Sequence, residues 1–216
     1  MLATLVPVLA GMAMGARMKG EKKVAMTYVG DGATSLGDFY EGLNFAAVQK
    51  IPLVVVIENN QYAYSTPTSK QSLLTNLADK SKAFGIPGYV GDGNDVLEVY
   101  GMTKKCVEDA RDGGGPQLIE FKTLRMRGHA VHDDASYVPP KLFEEWKKKD
   151  PIARFEAVLK LKDAEKAEIE KKLKDTVDDA VDFAEKSPPP DGRLAYKGVF
   201  EDDEIIQFTP WWKRDA

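Results

Sequence analysis

Cysteine occurs once in the 216 residues, at Cys106, and histidine twice, at His129 and His132. One cysteine excludes an internal disulfide framework and any zinc site built from several thiolates, and it fits a reducing cytoplasm. The chain nowhere reaches the roughly 18 consecutive apolar residues that a membrane helix requires. It also lacks a basic block: 30 Lys and Arg stand against 34 Asp and Glu, a formal charge of −4. Sequence-independent binding to nucleic acid is therefore not expected. An apolar run does open the chain, Leu2 to Met14, but its basic residues, Arg17, Lys19, Lys22 and Lys23, follow it. That order is wrong for a secretory leader. The run reads as a buried helix, and the protein is expected in the cytoplasm.

What remains is a mix of 43% hydrophobic and 30% charged residues, typical of a globular protein. Leu5 to Lys19 reads as a helix whose small residues allow close packing. Val24 to Val29 is an apolar run ending at Gly30-Asp31-Gly32, as a buried strand entering a turn should. Phe39 to Lys50 has helical spacing, with Phe39, Leu43, Ala46 and Ala47 on one face. Leu53 to Ile57 is the strongest strand. Its β-branched residues without alternation indicate burial on both faces, hence a parallel sheet.

Downstream, the spacing predicts a polar loop over 59–71, a helix from about Ser72 to Phe84 and a short strand at Tyr89-Val90. A helix over 96–111, a last strand over 117–124 and the histidine-bearing segment Arg127 to Tyr137 follow. Alternating strands and helices predict an α/β fold, a doubly wound parallel sheet holding ligands at the carboxyl ends of its strands. After Pro139-Pro140 the texture becomes charged and helical, over 141–149 and 152–186. Ile152, Phe155, Val158, Leu159 and Leu161 mark an apolar stripe, and 164–174 reads as a solvated amphipathic helix. The expected organisation is a binding domain over 1–138, a helical C-terminal extension over 139–186, and a linker with a docking tail over 187–216 that ends in Trp211-Trp212.

The segment from Gly30 to Pro67 carries the chemistry. Gly30 and Gly32 allow a sharp turn after the first strand, and amides exposed at the start of a helix suit a diphosphate. Asp31 offers a hard carboxylate oxygen, Asn60 an amide oxygen and Tyr62 its carbonyl. With phosphate oxygens and water these complete the octahedron magnesium prefers. Asp31 and Asn60 lie 29 positions apart, yet both follow strands of one sheet and can converge. Gly91-Asp92-Gly93 repeats the tripeptide with no Asn pair after it and reads as a plain turn. His129 and His132 fall in a polar loop directly after the last strand, at the expected ligand edge, where an imidazole suits phosphate contact and proton transfer. Of the two, His129 has the stronger context. Cys106 reads as packing.

These residues resemble the thiamine-diphosphate motif, Gly-Asp-Gly followed by Asn-Asn. The finer pattern of Glu41, Asn44, Ala46, Pro52, Glu58-Asn59-Asn60-x-Tyr62 and Ser65-Thr66 is similar to alpha subunits of two-subunit 2-oxo acid dehydrogenases. Arg127-Gly128-His129 with Asp133-Asp134 and Tyr137, then Asp150-Pro151-Ile152-Ala153-Arg154, extend the resemblance to about Leu159. The resemblance implies thiamine diphosphate and magnesium as cofactors, with Asp31, Asn60 and the Tyr62 carbonyl as metal ligands and the Gly32 and Ala33 amides on the diphosphate. It implies that His129 contacts the diphosphate and assists acyl transfer. Leu2 falls where the family places the bulky residue that bends the cofactor. The implied reaction is oxidative decarboxylation of pyruvate or a branched-chain 2-oxo acid, with the acyl group passing to lipoamide. The implied partners are a beta subunit in an α2β2 assembly and a lipoyl-bearing acyltransferase.

Three departures accompany the resemblance. Family alpha subunits carry a stretch before the position of Met1, so this sequence reads as a fragment, a misassigned start or a reduced variant. Ala130 stands where mitochondrial members carry a regulatory serine. Tyr137-Val138 replaces the usual Tyr-Arg, which predicts a more mobile loop or another anchor. Two other readings remain open at this point: the amino-terminal half of a split transketolase, and a truncated chain that folds or docks without catalysis.

Overall fold

The computed structural model describes residues 2–196 and 198; the tryptophan pair and most of the expected docking tail lie outside the described residues. Six strands and seven α-helices lie along the described chain. They are α1 (Leu5–Met18), β1 (Ala25–Gly30), α2 (Gly37–Val48), β2 (Leu53–Asn59), β3 (Tyr62–Ala63), β4 (Thr66–Pro67), α3 (Thr68–Gln71), β5 (Gly88–Asp92), α4 (Val96–Asp109), β6 (Gln117–Lys122), α5 (Pro140–Lys147), α6 (Pro151–Leu159) and α7 (Asp163–Lys186). A 3-10 turn over Gly32–Ser35 follows β1, and a longer 3-10 segment, Leu77–Phe84, precedes β5.

The α/β expectation holds. Four strands form a parallel sheet in the order β1-β2-β6-β5. Because alternate side chains of a strand face opposite ways, β2 feeds two cores. Leu53, Val55 and Ile57 pack with Val6, Ala10 and Ala13 of α1 and Phe39, Leu43 and Ala46 of α2. Val54 and Val56 pack on the other face with Ile119, Phe121 and with Cys106 of α4. The step from β1 to β2 runs one way across the sheet with α2 on one face. The step from β5 to β6 runs back with α4 on the other, as right-handed crossovers require.

Two helical expectations need correction. The helix foreseen from about Ser72 begins only at Leu77 and winds as a 3-10 segment. Ser72 is extended and Leu73 and Leu74 are exposed. The turn forms where the Ala78 amide finds the Glu120 carboxylate at 2.9 Å, a long-range partner that local spacing does not reveal. The helix foreseen over 152–186 is two helices, broken at Lys160, which adopts a left-handed conformation (φ 51°). Of the stripe expected there, Ile152, Val158 and Leu159 remain largely exposed. The chain divides into two compact units, residues 1–160 and residues 161–216; within the second, α7 is its long helix. No helix among the described residues is long and apolar enough to cross a membrane.

Candidate functional site

Asp31 leaves the end of β1 and opens the 3-10 turn, where the Thr34 amide and hydroxyl both donate to its carbonyl, at 3.2 and 2.7 Å. The turn leaves the Gly32 and Ala33 amides without a backbone acceptor among the described residues, as the first donors of a helical turn generally are. Gly32 is required by packing: a Cβ there would lie 2.6 Å from the Ala63 Cβ. Lys80, buried against the same turn, donates to the Thr34 carbonyl at 3.0 Å and to the Tyr40 hydroxyl at 2.6 Å.

Asp31 is only 3% exposed. Its Oδ2 accepts from the Gln71 amide at 3.0 Å and the Thr68 hydroxyl at 3.4 Å, both neutral, and no ion pair reaches it among the described residues. A carboxylate withdrawn from water this far is costly unless a cation compensates it. The same hydroxyl lies 3.3 Å from the Asn59 Oδ1, so its single proton is shared between the Asp31 and Asn59 oxygens and ties the end of β1 to the end of β2. Asn59 in turn donates to the buried Glu120 at 2.6 Å. Asn60 follows directly, and its Oδ1 accepts the Tyr62 amide at 3.2 Å. Asp31, Asn60 and Tyr62 thus belong to one neighbourhood despite their separation in sequence.

Tyr62 is buried against Leu124, Ala135 and Val138, and its carbonyl accepts from Arg125 Nη1 at 3.2 Å. That guanidinium organises the histidine loop. It also donates to the carbonyls of Tyr64 (2.7 Å) and Arg127 (3.1 Å) and to the Tyr137 hydroxyl (2.6 Å). Tyr137 donates to Asp133 at 2.6 Å, and Asp133 also takes the His129 amide at 2.6 Å. Gly128 is obligatory in this closure, because a Cβ would sit 1.8 Å from the Asp133 carbonyl oxygen. The expectation of another anchor in place of the Tyr-Arg arginine is met by Arg125.

His129 is exposed, packs on the Tyr64 ring at 5.0 Å and presents Nδ1 at 3.5 Å from Arg125 Nη1. His132 is exposed and makes no hydrogen bond among the described residues. Leu2 is 69% exposed and lies ahead of α1. Sequence reasoning missed Thr68, Gln71, Glu120 and Arg125. Glu120 had a signal, a charge inside an apolar strand. Nothing in the sequence set Arg125 apart from Arg127.

Among the described residues no group of three or more His, Cys, Asp or Glu is placed to hold a metal; one carboxylate, one amide and one carbonyl would not form such a group. On the α4 face of the sheet an open, mainly apolar groove of about 900 Å³ runs past Tyr28, Val56, Tyr100 and Phe121, and Asn60 and Arg125 also line it.

The family described as the dehydrogenase E1 component matches residues 1–192. The chain is 42% identical over 185 residues to a protein of Bacillus subtilis (strain 168) named pyruvate dehydrogenase E1 component subunit alpha, covering 83% of this chain and 50% of that protein. Proteins of the same name from Acholeplasma laidlawii (46% over 170 residues; 78% and 49% covered) and Staphylococcus aureus strain Mu50 (48% over 155; 71% and 42%) are also similar. The chain spans about half the length of these curated relatives. With a family match across residues 1–192 and relatives 42–48% identical over most of its length, the chain belongs to the dehydrogenase E1 component family.

Proposed function

We propose that this chain acts as the alpha subunit of a thiamine-diphosphate-dependent 2-oxo acid dehydrogenase, decarboxylating pyruvate or a branched-chain 2-oxo acid and passing the acyl group to lipoamide. One observation carries the reading: a nearly buried Asp31 with only neutral hydrogen-bond partners, at the turn whose Gly32 and Ala33 amides are open. The names of the relatives support pyruvate as substrate. The split transketolase and the non-catalytic chain are not favoured by them. Helices on both faces of the sheet and the reversal of strand order support the doubly wound form of the fold.

The donor set fits the cofactor. Asp31, the Asn60 amide oxygen and the Tyr62 carbonyl would hold magnesium, whose preference is for hard oxygens, and the Gly32 and Ala33 amides would face the diphosphate. When bound, thiamine diphosphate supplies the carbon nucleophile and the electron sink for decarboxylation. The chain's own residues bind and orient. Asp31 fixes the cation, and Lys80 adds a buried positive charge against the same turn. Arg125 Nη1 lies 3.5 Å from His129 Nδ1 and leaves Nε2 as the ring nitrogen turned away from it. That nitrogen is then the donor for a phosphate oxygen or for proton transfer to the acceptor. Leu2 would shape the cofactor from the N-terminal side. A beta subunit in an α2β2 assembly and a lipoyl-bearing acyltransferase complete this reading, in the reducing cytoplasm that a lone buried thiol fits.

The test is magnesium-dependent binding of thiamine diphosphate by calorimetry, with the chain co-expressed beside its beta subunit, and 2-oxo acid decarboxylation with an artificial acceptor. Asp31→Asn is expected to weaken cofactor binding at least 100-fold while the melting temperature of the ligand-free protein holds. Unchanged affinity in that variant overturns the metal assignment; no binding by the unsubstituted assembly overturns the function.

A further inference from the structure

Glu120 is fully buried in β6, an inner strand of the sheet, on the same strand face as Leu118. No ion pair reaches it among the described residues. Glutamate is seldom buried this far unless paired, and taking its carboxylate out of water is costly. An aliphatic side chain would fill the position without that cost. What glutamate adds is two acceptor oxygens pointing different ways. Oε1 takes the Asn59 side-chain amide at 2.6 Å, and Oε2 takes the Ala78 backbone amide at 2.9 Å.

Each of these contacts begins an arm that ends at Asp31. Along the first, donating Nδ2 to Glu120 turns the Asn59 Oδ1 the other way, toward the Gln61 amide (3.1 Å) and the Thr68 hydroxyl (3.3 Å). That hydroxyl shares its proton with the Asp31 Oδ2 at 3.4 Å. Along the second, Ala78 lies in the 3-10 segment that carries Lys80, whose Nζ donates to the Thr34 carbonyl at 3.0 Å. The Thr34 amide and hydroxyl donate to the Asp31 carbonyl. One arm reaches the side chain of Asp31, the other its backbone, and Glu120 is where they meet.

We propose that Glu120 is a positioning residue that fixes the Asp31 turn from both sides and so presets the carboxylate for its cation. The inference rests on the reading of Asp31 as the cation's ligand. Groups that orient a metal ligand from behind typically change metal affinity by roughly 10- to 100-fold when removed. Glutamine has the shape of glutamate but one acceptor oxygen where two are used, so Glu120→Gln gives up either Asn59 or Ala78. The double variant Asn59→Asp, Glu120→Gln reverses the contact. Its new amide donates to its new carboxylate and keeps its oxygen for Ala78, and the second carboxylate oxygen still serves Gln61 and Thr68.

The test uses the chain assembled with its beta subunit. In the cofactor-free assembly, hydrogen exchange read by mass spectrometry should rise at least about tenfold over 31–36 and 60–68 in Glu120→Gln, while 53–57 in β2 keeps its protection. The magnesium concentration needed for thiamine diphosphate binding, measured by calorimetry, should rise by roughly 10- to 100-fold. The double variant should restore both. Circular dichroism checks folding; should Glu120→Gln not fold, Asn59→Ala, which opens the first arm alone, takes its place with the same expectations. Exchange unchanged over 31–36, or raised equally over 53–57, overturns the proposal, because a purely structural role would loosen the whole sheet together. An unchanged magnesium requirement, or a double variant that restores neither readout, overturns it as well. If the unsubstituted assembly binds no thiamine diphosphate, the proposed function falls, and the exchange measurement still decides the role of Glu120.

Discussion

Asp133 accepts the Tyr137 hydroxyl and the backbone amides of His129 and Ala135, and these bonds, the Tyr137 bond foremost, hold its carboxyl down to about 2. In an unfolded chain an aspartate titrates near 3.9. The folded value is the lower, so the ionised carboxylate's contribution to loop order is complete above about pH 4 and is lost as pH falls toward 2. The prediction is that the Ala135 amide resonance stays fixed from pH 7 to about 4 and shifts below it. Asp133→Asn should displace that resonance at every pH; a resonance moving between pH 7 and 5 would contradict the arrangement. Tyr137 is affected in the opposite direction: burial first, and then its bond to the Asp133 carboxylate, raises its phenol. At this scale much was legible. Asp31, Asn60, Tyr62 and His129 follow strands whose ends could be placed from hydrophobic runs. Thr68 and Gln71, which engage Asp31, come from a stretch expected to be featureless loop.

At the scale of elements, the Asp-Pro-Ile-Ala-Arg segment shows how a short sequence acts twice. Asp150 caps α6, accepting the amides of Ile152 and Ala153 at 2.8 and 3.1 Å, with Pro151 preset for the first helical position. The capped helix then aims Arg154 at Asp92 (2.8 Å) and Asp95 (3.0 Å). Burial alone would raise the Asp92 carboxyl, but hydrogen bonds from Arg154 and the Asn94 amide outweigh it and the net direction is downward. The second Gly-Asp-Gly is therefore occupied in holding α6 to the end of β5. Asp150→Ala should cost about 1 kcal/mol, the usual worth of an N-cap, and lower the melting temperature by roughly 2–4 °C. A loss below a few tenths of a kcal/mol in denaturant titration would refute the capping role. The pieces that sequence misjudged here, the 3-10 segment and the break at Lys160, turn on the Glu120 contact and on one left-handed residue. Helical periodicity is blind to both.

The whole molecule offers one chemical reporter of its integrity. Cys106 sits fully inside the core between α4 and the sheet, and burial pushes its thiol up to about 11. A thiol needs both access and ionisation to react. Modification by an aromatic disulfide at pH 8 should therefore be slow in the native chain and follow global unfolding with urea. Rapid labelling without denaturant would show that α4 opens locally.

The sequence by itself determined the parallel strands, the helix-rich second half and the residue types at the candidate site, because buried β-branched runs and turn glycines are local physical demands. The tertiary structure alone decided which of those residues meet. Thr68 joins Asp31 to Asn59, Glu120 holds Asn59 and Ala78, and Arg125 ties Tyr62 to the His129 loop. Each of these contacts links residues that only the packing of the parallel strands brings within hydrogen-bonding reach.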